Sequence, residues 1–453
     1  MFAAVWATTE GNSAMMKAKD VAVRSDAERV VITGMGVISP NGIGVDEFWN
    51  NCVRGKSGVV RIDDFDVSRF ESQVGGVVRD FDPDAFDFSE RQKESLDRYA
   101  LFALAAAEEA IRDSGLDDDA YDADDMGVCI ATAIAGTKFM EEEFLRLTDK
   151  GTNSLDSSQA SPHLFLGASF HVASAEVAKK YGARGPVMTL ATGCTAGLDA
   201  IGQAVDLIRS GQSKIMISGA TEAPITPIAF AAFDIIGALA SDRNDEPEKA
   251  SRPYDRSRSG FVLGEGCGIF VLESLEHANA RGAKILAEVM GFGSTCNAYH
   301  MTDLAPEGID LHRAMKQALS DARLQPEAID HVNAHGSSTP QNDVNESNAV
   351  KRTLGQRAYE IPITSIKSII GHALSAANAV ELVCAVLSIV HQKVPPTINY
   401  EQPDPHCDLS YATEGARDAK IDFILKDASG FSGIHSAIVL GKLHDADIRG
   451  RAA

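Results

Sequence analysis

One pattern occurs twice along this chain and limits what it can fold into: a short apolar run, a turn containing glycine, and a long alanine-rich helical stretch. Residues 190–208 carry the first copy and residues 364–390 the second. Repetition of a strand–turn–helix unit predicts an α/β fold built from two similar halves. Facing each other, such halves would bring both helix starts to one central site.

In the first copy the strand-like run ends at Thr192 and Gly193, and Cys194 stands at the turn. Ala196, Leu198, Ile201, Ala204, Val205 and Ile208 then recur at mostly three- and four-residue intervals, one buried helix face. The unpaired N–H groups of a helix start would point at the sulfur, favour thiolate and serve a developing oxyanion. A buried small hydrophobe is the plainer use of a cysteine. The second copy holds Lys367 and His372 around its turn, and another strand-like run, residues 329–334, ends in His335-Gly336. A cysteine with two histidines can do more than hydrolysis: thiolate attack gives an acyl-enzyme, and two neutral imidazoles can donate to a thioester carbonyl as it becomes an enolate. Decarboxylation of a malonyl thioester onto the acyl-enzyme is one such reaction. A Cys-His-Asn hydrolase is the rival, but the papain-type signature around the cysteine is absent.

At 453 residues, 44% hydrophobic and 23% charged, the chain has the length for two domains or one large duplicated one. A net charge of −22 argues against generalised nucleic-acid binding and against attraction to an anionic membrane. Asp117 to Asp119 and Asp122, Asp124 and Asp125 read as a solvated acidic loop. The seven cysteines form no C-x-x-C pair and no zinc spacing, so no metal site is expected and a reducing, cytoplasmic setting fits best. No apolar run is read as approaching the roughly 18 residues of a membrane span. Residues 1–28 lack a secretory core and read as a flexible extension, with the halves at 29–282 and 283–443 and a tail at 444–453.

A strand at 29–33 meets Gly34-Met35-Gly36, where a turn suffices and a dinucleotide site lacks its third glycine. Residues 260–272, punctuated by glycine, read as a hairpin.

At the cysteine and the histidines the chain resembles the β-ketoacyl–acyl carrier protein synthases. T-G-C-T-A-G-L-D at 192–199, N-A-H-G-S-S-T at 333–339 and K-S-I-I-G-H at 367–372 carry the resemblance, supported by R-P-Y-D at 252–255, G-F-V-L-G-E-G at 260–266 and N-A-Y-H-M-T at 297–302. It covers about residues 29–443 and implies the thiolase fold, a five-layered αβαβα sandwich of two similar halves, with no bound cofactor and with substrates carried on the phosphopantetheine of acyl carrier protein. It implies Cys194 as nucleophile, His335 and His372 as carbonyl donors, Lys367 with Glu381 as their electrostatic support, and the N–H groups of Cys194 and Phe431 as oxyanion hole. Phe431 matches a gating phenylalanine, beside which Ser432 replaces the family's usual glycine. Asn378 also departs from a glycine-favouring stretch and has no role assigned by the resemblance.

The residues at 192–195, 222–225, 296–299 and 341–343 are most similar to the ketosynthase α subunit of bacterial type II polyketide synthases, which pairs with a chain-length factor lacking the cysteine. The alternatives are a homodimeric fatty-acid synthase II and a non-catalytic chain-length factor. Phe233, Ile235 and Ile236 are candidates for an acyl tunnel, and Arg91, Lys93, Arg98, Arg256 and Arg258 for docking of an acidic carrier protein.

Overall fold

The computed structural model describes residues 24–116 and 121–443. The extension up to residue 23, Asp117 to Asp119 and the tail from 444 lie outside the described residues. Arg24 belongs to the folded part, not to a flexible extension: its guanidinium donates to the Met290 carbonyl at 2.6 Å and pairs with Asp321.

Among the described residues the main sheet has eleven strands, ten of them in two sets of five and the eleventh a two-residue piece, Gly42–Ile43, at its side. The first set is β1 (Val30–Ser39), β2 (Met126–Ala131), β3 (Val187–Met188), β4 (Ile215–Glu222) and β5 (Gly266–Ser274). The second is β6 (Ala287–Cys296), β7 (His331–Asn333), β8 (Ile363–Thr364), β9 (Phe423–Ser429) and β10 (Ile434–Gly441). Their spatial orders are β3-β2-β4-β5-β1 and β8-β7-β9-β10-β6, the same permutation of chain order in each set. Each set runs parallel, parallel, antiparallel, antiparallel across its order. Three antiparallel pairs, Val30 to Ile32 against Val289 to Ala287, join the sets.

Six helices position the site: α1 (Arg98–Ser114), α2 (Ala196–Arg209), α3 (Ile309–Ala322), α4 (Pro340–Leu354), α5 (Lys367–Ile370) and α6 (Leu374–His391). The two copies read in the sequence are equivalent crossovers, α2 from β3 to β4 and α5–α6 from β8 to β9. Helices α2 and α6 pack on each other and on strands of both sets, whereas α1 covers the outer face of the first set and α3, with α4 behind it, that of the second. That stacking gives the five layers, α, β, α, β, α, of the thiolase fold. Three apolar cores fill the spaces between layers.

Helix α6 is mostly apolar and is buried on every side from Leu374 to Ile389, as a helix between two sheets must be. Its 18 residues have a mean hydropathy of 1.7, a length and composition that could cross a membrane, contrary to the expectation that no run approaches that size. It is a core helix instead: Leu382, Val383, Val386 and Ile389 are buried, and each contributes about 2 kcal/mol by leaving water. Close approach of α2 to α6 requires Gly197, where a Cβ would stand 2.7 Å from the Ser375 carbonyl oxygen.

Two local expectations fail. Residues 34–37 are not a turn, because β1 continues to Ser39 after a bulge between Ile32 and Gly34. Its glycines serve packing: a Cβ at Gly34 or Gly36 would strike the backbone of α1, at 2.2 Å from Ala110 O and 2.0 Å from Ala106 O. Residues 260–272 are not a hairpin either. Only Gly266 onward is strand, while Phe261, Leu263 and Gly264 make single bridges to Leu239, His372 and Gly76.

Candidate active site

The chemistry gathers beyond the carboxyl ends of the parallel strands, where crossovers leave a crevice. Cys194 lies in a single 3-10 turn, Gly193–Thr195, that leads into α2. The Asp199 carboxylate, one turn further on, accepts hydrogen bonds from Thr192, from Thr195 at 2.8 Å and from Ser436 at 2.5 Å, and so holds the turn in place. The backbone N–H groups of Phe431 and of Cys194 itself favour the sulfur anion, as an oxyanion-hole pair would. Burial nevertheless wins: it pushes the Cys194 thiol up to about 11, against Lys367 and the two N–H groups, and Glu222 adds to the rise. The helix start therefore does not produce a resting thiolate, contrary to the expectation from sequence.

Opposite the cysteine stand the two histidines, both buried, with ring centroids 5.1 Å apart and planes nearly perpendicular. Burial drives both imidazoles well below the usual histidine range, and the charges of Lys367 and Lys426 add to the effect, so both rings are neutral. The Lys367 ammonium donates to the His335 carbonyl at 2.8 Å, stands 3.3 Å from His335 Nδ1 and pairs with Glu381 at 2.5 Å. With Nδ1 accepting from Lys367, the proton of His335 sits on Nε2. The His372 backbone is clasped by the segment misread as a hairpin: its N–H donates to Val262 O at 2.7 Å, and its carbonyl accepts from Gly264 N at 3.0 Å.

Cys194, His335 and His372 line one cleft, together with Phe431, Phe233 and Phe261. Cys194, His335, His372 and Lys367 thus meet, although Cys194 comes from the first half and the other three from the second. Comparison with known proteins agrees with this geometry. The N-terminal domain of the β-ketoacyl synthase family matches residues 27–278 and its C-terminal domain residues 286–401. The chain belongs to the β-ketoacyl synthase family. It is thus an acyltransferase of the condensing type. The tetracenomycin polyketide synthase ketoacyl synthase alpha subunit of Streptomyces glaucescens is 45% identical over 423 residues, 92% of this chain and 98% of that protein. The 3-oxoacyl-(acyl-carrier-protein) synthase 2 of Synechocystis sp. is 43% identical over 417 residues, 92% of this chain and 99% of that protein. A chain from the complex of a type II polyketide acyl carrier protein with its ketosynthase bound to the hexaketide superposes with a TM-score of 0.86 at 46% identity, over 92% of this chain and 99% of that one. The ishigamide ketosynthase/chain length factor gives 0.83 at 33%, over 92% and 99%.

In this synthase the two departures from the family pattern have structural accounts. Asn378 is fully buried and its amide donates to the Cys194 carbonyl, tying α6 to the nucleophile's turn beside His335. Ser432 takes a left-handed φ of 65°, which suits the glycine usual there, and its N–H donates to Met301 O at 2.6 Å.

Of the tunnel candidates only Phe233 lines the cleft; Ile235 and Ile236 are 85% and 51% exposed on the loop after helix Pro227–Asp234. The docking candidates divide in the same way. Arg258 is buried and paired with Asp343 and Asp404, and Arg98 pairs with Glu265 at 2.9 Å over the Phe102 ring, so both are structural. Lys93 is held by Asp84 and Glu90, while Arg91 and Arg256 are exposed.

Sequence reasoning missed a buried acidic and basic shell. Glu346 and Asp427 both lie against the His335 N–H, at 2.6 and 2.7 Å, and burial raises both acids, with the proton on Glu346. Tyr254 donates to Glu346 at 2.8 Å, and Lys426 meets the second oxygen of Glu381 at 2.9 Å. On the cysteine side, Glu222 accepts from Thr132, from the N–H groups of Ala133 and Ile134, and from Ser375. Two stretches already singled out were signals for this shell: R-P-Y-D, which contains Tyr254, and 222–225, which begins with Glu222.

Proposed function

We propose that the chain is the ketosynthase α subunit of a type II polyketide synthase, catalysing decarboxylative Claisen condensation of malonyl–acyl carrier protein with a Cys194-bound acyl chain. The observation that carries this reading is the pair of neutral imidazoles beside one cysteine, since a hydrolase needs one base and no second donor. The Cys194 sulfur attacks an acyl thioester, its proton leaves with the departing pantetheine thiol, and the acyl-enzyme forms. His335 and His372 then donate to the malonyl thioester carbonyl; carbon dioxide leaves and the negative charge passes to the enolate oxygen they hold. The enolate carbon attacks the acyl carbonyl, whose oxyanion rests on the Cys194 and Phe431 N–H groups. Collapse of that adduct expels the Cys194 thiolate, which the N–H groups and the field of Lys367 stabilise.

Acyl carrier protein is the proposed substrate carrier, supported by the related ketosynthase solved with one. Arg91 and Arg256 remain for its docking. A chain-length factor is the proposed partner: exposed apolar side chains at Phe144, Leu155, Phe165, Ile228, Ile235 and Ile236 would be covered by a second subunit. The halves divide near residue 283, between the two matched family domains. A cytoplasmic setting is supported by seven free cysteines.

Similarity to the Synechocystis synthase favours a second reading, a homodimeric fatty-acid elongase. A chain that is a stable, active homodimer when purified alone supports the elongase; activity only with a cysteine-less partner supports the polyketide reading. For the shared chemistry, Cys194→Ala should abolish acyl transfer, and Cys194→Gln should keep malonyl decarboxylation, followed by released carbon dioxide. Condensation by Cys194→Ala would sink both readings.

A further inference from the structure

Lys426 has no place in the chemistry described so far, yet it is fully buried on β9, between β7 and β10. Its ammonium meets Glu381 Oε2 at 2.9 Å, while Lys367 meets Oε1 of the same carboxylate at 2.5 Å. Lys426 also donates to the Asp427 carbonyl. One carboxylate between two buried ammonium groups is out of balance by a full charge, and a charge left uncompensated in an apolar interior is costly. The compensation stands next to it: Glu346 from α4 and Asp427 from β9 keep one proton between them. Lys367, Lys426, Glu381 and this pair together are neutral only while Lys426 is present.

We propose that Lys426 is a positioning residue of the condensing site, a second counter-charge for Glu381 that leaves Lys367 free to hold His335 with Nδ1 as acceptor and Nε2–H toward the cleft. The proposal rests on the condensation reading above. The charged and titratable groups around the imidazoles are Lys367 and Glu381 from the α5–α6 arm, Glu346 from α4, Lys426 and Asp427 from β9, and Cys194 from the first strand set. Without Lys426 this group carries a net negative charge. Glu381 then draws Lys367 to itself, and the histidines gain an incentive to protonate.

Replacing Lys426 with methionine tests this, with condensation and acylation measured separately from pH 5.5 to 9. Acylation of Cys194 by a small acyl thioester should stay within about threefold of wild type. Condensation at pH 7 should lose about 100-fold in kcat at nearly unchanged KM, a loss in the range expected when a proton donor is misplaced. The acidic limb of the condensation profile should move up by about one pH unit. Lys426→Arg should restore the wild-type limb, and so should the charge-compensated Lys426→Met/Asp427→Asn. A Lys426→Met profile that parallels wild type, or a compensated variant as displaced as the single one, would overturn the proposal. If Lys426→Met does not fold, folding of the compensated variant alone supports charge balance, whereas failure of both assigns Lys426 to packing and overturns it. Wild-type protein without condensing activity would instead sink the condensation reading.

Discussion

The crossover from β3 to β4 and the crossover from β8 to β9 occupy equivalent places in the two strand sets and deliver different things to the same cleft. The first brings one reactive atom, the Cys194 sulfur, on a turn held by one carboxylate, Asp199, which accepts from the hydroxyls of Thr192, Thr195 and Ser436, and by the Asn378 amide. The second, with the ends of β7 and β9, brings the two histidines and a buried charge network of Lys367, Lys426, Glu381, Glu346 and Asp427. A duplicated scaffold has thus been divided by task. One half holds its nucleophile by hydroxyl and amide hydrogen bonds gathered around a single carboxylate. The other fixes proton positions, and that takes paired charges.

The largest effect should come from cutting the division at the histidines. His335→Ala and His372→Ala should each leave acylation of Cys194 within a few-fold and lower decarboxylation by about 100-fold or more, followed with labelled malonyl thioester. Equal loss of both steps would mean that the halves do not separate the two reactions. Next comes the cysteine's own titration. Its thiol is raised to about 11, so the neutral form dominates at pH 7 and the reactive anion grows as pH rises. Alkylation of free Cys194 should therefore accelerate about tenfold per pH unit between 7 and 9, and Lys367→Met, which removes a charge that favours the anion, should slow it. A plateau near pH 7 would show that the helix start outweighs burial.

Asp199→Ala tests whether the nucleophile's half is as rigid as its hydrogen bonds suggest. Loss of a buried acceptor leaves the Thr192, Thr195 and Ser436 hydroxyls without it and should cost about 3 kcal/mol in denaturant unfolding. The smallest change is Ser432→Gly, which relieves a left-handed residue by about 1 kcal/mol and should raise Tm by about 1 °C.

Cys194, His335, His372 and Lys367 were legible in the sequence because each stands at a turn between a strand-like run and a helix, where side chains face a crevice. The duplicated layers were legible for the same reason, through the two strand–turn–helix copies. Lys426 and Asp427 were not. In F-I-L-K-D-A-S adjacent charges look like a solvated strand end, and only the pairing of β9 on both edges, with α6 across one face, buries them. Residues 260–265 misled in another way: glycines spaced as in a hairpin serve close approach to the His372 backbone, a contact about 110 residues away in sequence that no local pattern records. Ile235 and Ile236 were placed by hydrophobicity alone, which does not distinguish a tunnel wall from a surface awaiting a partner.

Gly197 gives the divided scaffold its working clearance. The two halves meet where α2 crosses α6, and at that crossing the missing methyl group leaves only 2.7 Å between a would-be Cβ and Ser375 O, and 3.1 Å to Ala379 N. The nucleophile rides at the head of one helix, Asn378 and Glu381 on the other. The gap between sulfur and imidazoles is therefore gauged by a single hydrogen atom three residues from Cys194, and any bulkier side chain there would act as a shim, opening the reaction site without touching one of its reacting groups.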